Sequence, residues 1–220
     1  MEHTTQKEAK ILLIINGIFG FAIALGGIFL QVFLFGLGGF RAVVEYNLVT
    51  ACALILFYIL SGLLLNKMST RALLLMGIGA HALLYLALFI FREQALDALI
   101  LLGFINGMAM GIFWAAMNLL QYIFTTSDTR HKFFGRQSFL FSISGGIAPI
   151  LGGAVISLVG SVVSKDLGYS SLFFLIALLM GVLCYVAIRL PDHGTIDFSM
   201  RDVLRHRRSK LWIYVLLMDF

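Results

Sequence analysis

Six stretches of this chain contain no Asp, Glu, Lys or Arg: Ile11 to Phe35, Tyr46 to Leu65, Ala72 to Phe91, Leu99 to Phe124, Ser138 to Gly160 and Ser170 to Ile188. A helix needs ~20 apolar residues to cross the ~30 Å hydrocarbon core of a bilayer, and each backbone polar group left unpaired in lipid costs several kcal/mol. The pattern predicts an all-α, polytopic membrane protein with six transmembrane helices. With 60% hydrophobic and 12% charged residues and a mean hydropathy of +0.99, the chain lies outside the range of soluble domains.

The charges that remain are sorted between alternate loops. All but three of the 16 Lys and Arg fall in the amino tail (Lys7, Lys10), the second loop (Lys67, Arg71), the fourth loop (Arg130, Lys132, Arg136) or after the sixth stretch (Arg189, Arg201, Arg205, Arg207, Arg208, Lys210). Arg41, Arg92 and Lys165 fall in the other loops. The bias of basic residues toward the cytoplasm places the amino terminus and the segment after span six inside, in what is expected to be the cell membrane. The net charge of +5 is spread along these loops with no interleaved aromatic platform. It therefore points to anionic membrane lipids as partners and to no nucleic acid. Cys52 and Cys184 lie within spans, without CxxC spacing or a ligand set, so no disulfide, metal or cofactor is expected. The run after Lys10 is as long as a full span and leads into further spans, so it reads as a retained first helix, not a cleaved leader.

The expected organisation is a six-helix bundle over residues 1–190, a cytoplasmic connection over 191–209 and the truncated start of a seventh span over 210–220. Pro191 opens the connection. Ser199 to Asp202 resembles a helix start, and Phe198, Val203 and Leu204 give an amphipathic face, with a plain solvated linker as the alternative. Leu211 to Phe220 is about half of the ~20 residues a crossing needs, as though the chain were cut.

The whole chain resembles the amino-terminal half of a major facilitator superfamily transporter. Gly62 to Arg71 is similar to that superfamily's Gly-x-x-x-Asp-Arg-x-Gly-Arg-Arg signature between spans two and three. Gly62 and Arg71 match, while Asn66, Lys67 and Ser69 replace the acid, an arginine and the second glycine. Gly135, Ser144, Ala148, Pro149, Gly152 and Gly153 are similar to its Gly-x8-Gly-x3-Gly-Pro-x2-Gly-Gly pattern in span five, associated with exporters. Asn106 and Gly107 align with its span-four Gln-Gly, which puts Gly103 where an arginine is implicated in proton coupling. The resemblance implies gating and packing roles for these positions and a partner bundle of six helices that this chain lacks. Independently, Ser138, Ser142, Gly145, Pro149, Gly152 and Gly160 share one helical face, where a neighbouring backbone could approach closely beside a bend at Pro149.

Polar groups deep in a membrane are costly unless they face protein or water. In span four, Gly103, Gly107, Gly111, Trp114, Asn118, Gln121 and Thr125 share a narrow face, with Asn106 beside it. Uncharged amides and an indole suit a neutral or amphipathic substrate, and the alternative is hydrogen-bonded glue between helices. Asn16, Gly20, Ile23, Gly27 and Gln31 form a fainter stripe in span one, open to the same two readings. His81 is the one titratable side chain near mid-span. With no acid placed to partner it, a neutral ring hydrogen-bonded to a neighbouring helix is favoured over a proton relay.

The expected function is transport of a small molecule by alternating access, with efflux as the direction the span-five resemblance implies, by a secondary carrier of which this chain is one half. Coupling to an ion gradient is expected, because no phosphate-cradling loop is present, with uniport as the alternative where no buried acid serves. An enzyme is not expected, since a lone His81 without an acid offers no nucleophile and base. The alternative is a six-span scaffold or homodimer without independent transport.

Overall fold

The computed structural model describes residues 2–162, 165–192 and 194–195. The amphipathic helix expected around Phe198 to Leu204 and the seventh stretch expected from Leu211 lie outside the described residues. Every regular element among the described residues is helical: α1 (Glu2–Leu64), α2 (Thr70–Phe91), α3 (Leu99–Phe124), α4 (Ser127–Val162) and α5 (Lys165–Ala187), with a 3-10 turn at Arg92–Leu96 after α2. All five α-helices are long and apolar enough to cross a membrane.

Five helices stand where six separate ones are expected, because the first two expected spans are joined without a loop. Gly39 alone breaks the helical geometry of α1, at φ 65° and ψ −162°, a region open essentially to glycine. The chain reverses there. Gln31 and Asn47 lie 16 positions apart, which a straight helix would separate by ~24 Å. Their side-chain amides instead bond reciprocally, with Asn47 Nδ2 donating to Gln31 Oε1 at 2.9 Å and Gln31 Nε2 to Asn47 Oδ1 at 3.3 Å. α1 is thus two arms, residues 2–38 and 40–64, lying side by side.

α3 matches its expected bounds. α4 begins eleven residues earlier than expected, drawing Arg130, Lys132 and Arg136 into helix. No proline interrupts Ser127 to Gln137, and Asp128 in the first turn suits the positive end of the helix dipole. α2 starts behind an N-cap in which the Ser69 hydroxyl accepts the Ala72 N–H.

Small residues set the packing, since helices in lipid gain from van der Waals contact and not from hydrophobic exclusion. Gly103, Gly107 and Gly111 of α3 lie against the backbone of the second arm of α1 between Tyr46 and Tyr58. A methyl group on Gly107 would come within 2.7 Å of Ala53 Cβ and closer still to the Thr50 carbonyl. Thr50 Oγ1 donates to the Gly103 carbonyl across this seam. Gly77 of α2 admits the backbone of Phe113 in the same way. The Phe113 ring stacks on Phe19 of the first arm at 3.5 Å and 14°.

α4 packs on the first arm of α1 by reciprocal fit: Gly17 and Gly20 receive Leu140 and Phe141, and Gly152 receives Phe29. The buried stripe of α4 is Ser144, Ala148 and Gly152, while Ser138, Ser142 and Gly145 are exposed. The seam is rotated by roughly a quarter turn from the face expected from its small residues.

The two ends of the bundle carry different loops. Gly38, beside the reversal of α1, packs on Leu96 of the 3-10 turn, so Arg41 and Arg92 share one end. At the other end Arg71 reaches the chain leaving α5, donating to the Leu190 carbonyl at 2.9 Å and pairing with Asp192 at 2.9 Å.

Candidate functional site

The polar stripe of α3 divides into three environments. Its glycines are consumed in the seam with α1, so Gly107 and Gly111 do not line an open space. Gln121 is buried, and its Nε2 donates to Gln137 Oε1 of α4 at 3.1 Å, a bond between helices. Asn118 and Trp114 remain, one turn apart, and the structure joins them to residues of two other helices. Asn118 Nδ2 donates to the Tyr58 hydroxyl of α1 at 3.2 Å, both side chains being exposed. The Trp114 ring lies 6.1 Å from Phe141 of α4 and 6.0 Å, edge-on, from Phe19. Tyr58, Trp114, Asn118 and Phe141 form a wall of hydroxyl, amide and aromatic surface without a formal charge. Asn106 lies further along α3, half-buried.

Sequence reasoning missed Tyr58, Gln137 and Phe141. Tyr58 lies well inside the second expected span, whose other tyrosine, Tyr46, stands at its start, and its hydroxyl is a signal of the same kind as Asn118. Gln137 was counted as loop.

The stripe of the first arm divides likewise. Gln31 is spent on Asn47 at the reversal and does not join the wall. Gly20 holds Phe141, while Gly27 has nothing within 4 Å of a would-be side chain. Asn16 is fully buried, and neither of its amide atoms has a hydrogen-bond partner among the described residues. An unsatisfied buried amide costs ~1–3 kcal/mol. Asn16→Leu, similar in volume, is therefore expected to raise the stability of the bundle by about 1 kcal/mol or more. Thermal unfolding in detergent checks this, and a loss of stability would mean the amide is bonded in the membrane.

His81 is buried with its ring edge-on to Phe19. Its Nδ1 lies 3.1 Å from the Gly77 carbonyl of its own helix, not a neighbouring one. Because a carbonyl only accepts, Nδ1 carries the proton, and Nε2 has no partner among the described residues. Among the described residues no cluster of three His, Cys, Asp or Glu could hold a metal ion.

The second-loop positions fall at the end that carries Arg71. Gly62 is half-buried, and Asn66 and Lys67 are exposed. Arg71, Ser69 and Asp192 tie the start of α2 to the end of α5. The Ser69 hydroxyl, then the Gly194 N–H and the Arg71 guanidinium, hold the Asp192 carboxyl below its ordinary value of 3.8. A carboxyl lowered in the folded state adds stability that is complete above its ordinary value and is lost as pH falls through the lower folded value. Asp192→Asn is expected to lie below the wild type in melting temperature near neutrality and to converge with it in acid. A constant offset across that range would refute the assignment.

In α4, Gly135 is exposed with open space around it, Pro149 and Gly153 are half-buried, and Ser144 and Gly152 are in the α1 seam.

No protein-family model matches the sequence. The chain is 33% identical over 171 residues to the uncharacterized protein YqgE of Bacillus subtilis (strain 168), covering 77% of this chain and 39% of that protein. It is 28% identical over 184 residues to an uncharacterized protein in the sodM 3' region of Geobacillus stearothermophilus, covering 83% of this chain and 84% of that one. The chain thus spans well under half of the first relative and most of the second.

Proposed function

We propose that this chain is one six-crossing bundle of a two-bundle secondary carrier of the major facilitator type, taking a neutral or amphipathic organic solute. The observation that carries the reading is the open wall of Tyr58, Trp114, Asn118 and Phe141. Polar groups facing lipid are costly, so a hydrogen-bonded hydroxyl and amide left exposed within the apolar helices, each six residues inside the helix ends at Leu64 and Phe124, want a second surface or a watery path opposite them. The two arms of α1 count as two crossings, which makes six with α2 to α5. The alternation of basic loops then sets the amino terminus and the Arg71 end in the cytoplasm. A relative of which this chain spans 39% accords with a longer polypeptide able to supply the second bundle. Alternating access moves a central site between the two sides by rocking one bundle against the other. No acid lies in the wall, so coupling to protons would draw on carboxylates of the second bundle.

The test is binding followed by transport. In nanodiscs, a panel of neutral and amphipathic solutes is titrated against the full chain by equilibrium dialysis. Asn118→Ala is expected to weaken the bound solute about ten-fold, since it leaves a polar group of the complex unpaired. Binding that ignores Asn118→Ala, Tyr58→Phe and Trp114→Phe alike would sink the wall as a site. In sealed vesicles the 220-residue chain is expected to bind without moving solute. Transport by it as a dimer would instead favour a homodimeric carrier, an alternative that the relative matched over 84% of its own length makes concrete.

A further inference from the structure

On the side where α2 meets α5 the bundle carries a groove of about 460 Å³. Gly79 and Ala82 of α2 and Ala177 of α5 remove side-chain volume between the larger Leu83, Phe174 and Leu178, and the lining is apolar throughout. These ridges are themselves well exposed, so in a membrane the groove opens to acyl chains. We infer that it holds one acyl chain of an anionic phospholipid whose phosphate sits on Arg189.

Continuity along α5 leads to the headgroup end. Leu178, Gly181 and Tyr185 recur at three- and four-residue intervals and so share a face, and Arg189 follows four residues later, just past the end of α5 at Ala187. Among the described residues nothing lies within 4 Å of a would-be side chain on Gly181, which leaves this face open to a chain. The rise from Leu178 to Arg189 is ~16 Å at ~1.5 Å per residue, close to one leaflet's half of the ~30 Å hydrocarbon core. A phosphate at Arg189 thus places its chain end in the groove at mid-membrane.

Charge selects the headgroup. The Arg189 guanidinium lies 4.7 Å from the centre of the Tyr185 ring, and its Nη2 donates to the Tyr185 hydroxyl at 2.8 Å. That contact positions the cation at interfacial depth without neutralising it. Among the described residues the ion pairs are Arg41 with Glu45 and Arg71 with Asp192, so the nearby carboxylate is already committed. A phosphodiester with a net negative charge completes the site, whereas a zwitterionic headgroup brings an ammonium, and the described carboxylate nearest in sequence, Asp192, is already paired with Arg71. The inference rests on these helices crossing a membrane and not on the transport reading, and it stands or falls without any transport measurement.

The experiment is native mass spectrometry of the full chain with palmitoyl-oleoyl phosphatidylglycerol against phosphatidylcholine of the same chains. One phosphatidylglycerol is expected to be retained, with about five-fold preference, the worth of one cation near an anionic surface. Arg189→Ala is expected to abolish that preference, and Ala177→Trp, which fills the groove, to remove the retained lipid. Equal retention of both lipids by the wild type, or unchanged retention by Ala177→Trp, would overturn the site. Should the tryptophan variant fail to fold, photo-crosslinking of the wild type with a diazirine-tailed phosphatidylglycerol decides. Labelling concentrated on α2 and α5 peptides bears the site out, and labelling spread evenly over the exposed faces of α1 and α4 refutes it.

Discussion

Gly107→Val is expected to leave little folded protein. The facing atoms are the Thr50 carbonyl, Ala53 Cβ and the Leu54 N–H, two of them backbone, so no flexible side chain can swing away. Overpacking ordinarily costs ~1–3 kcal/mol. Here the whole second arm of α1 must retreat from α3, which also breaks the Thr50 bond to the Gly103 carbonyl and loosens the contacts at Gly103 and Gly111. The effect therefore belongs at or above the top of that range. Gly145→Ala, on the exposed face of α4 with open space around it, should behave as the wild type. Monodispersity in mild detergent and thermal unfolding of the two variants make the comparison, and a stable, monodisperse Gly107→Val would mean the α1 and α3 seam is not where the structure has it.

Gly39→Val is the second large effect. With φ 65° and ψ −162°, Gly39 occupies a region where a residue bearing Cβ costs ~1–3 kcal/mol, and a β-branched one falls toward the upper end. The strain acts at the point where α1 reverses, so relieving it means reopening the turn and pulling Gln31 away from Asn47. Gly36→Ala, nearby in the same helix with nothing within 4 Å, supplies the control. Cysteine pairs placed at Gln31 and Asn47 should cross-link in the wild type and lose that ability in Gly39→Val. Retained cross-linking with unchanged melting temperature would show that the reversal does not depend on this glycine.

The glycines of α3 illustrate why the candidate site was only half legible. Periodicity puts Gly103, Gly107, Gly111, Trp114 and Asn118 on one face, and both a cavity and a close helix contact call for small residues there. Which of the two applies depends on whether another backbone arrives, and that is a property of α1, more than forty residues earlier in the chain. The small face of α4 shows the same limit: Ser138, Ser142 and Gly145 are as suited to close packing as Ser144, Ala148 and Gly152, and the first arm of α1, through Gly17, Gly20 and Phe29, selects the second set. Tyr58 belongs to the wall only through the bond its hydroxyl accepts from Asn118.

Hydropathy is a local quantity, and burial in lipid asks the same thing of every residue in a run. Helical content, the location of the apolar segments and the segregation of basic loops therefore follow from the order of residues alone. Helix rotation, the one-residue reversal at Gly39 and the meeting of Tyr58, Trp114, Asn118 and Phe141 are set by contacts between segments distant in the chain. Apolar side chains gain nothing from one another that lipid does not also offer, so fit between surfaces decides these features, and fit exists only once the helices are assembled.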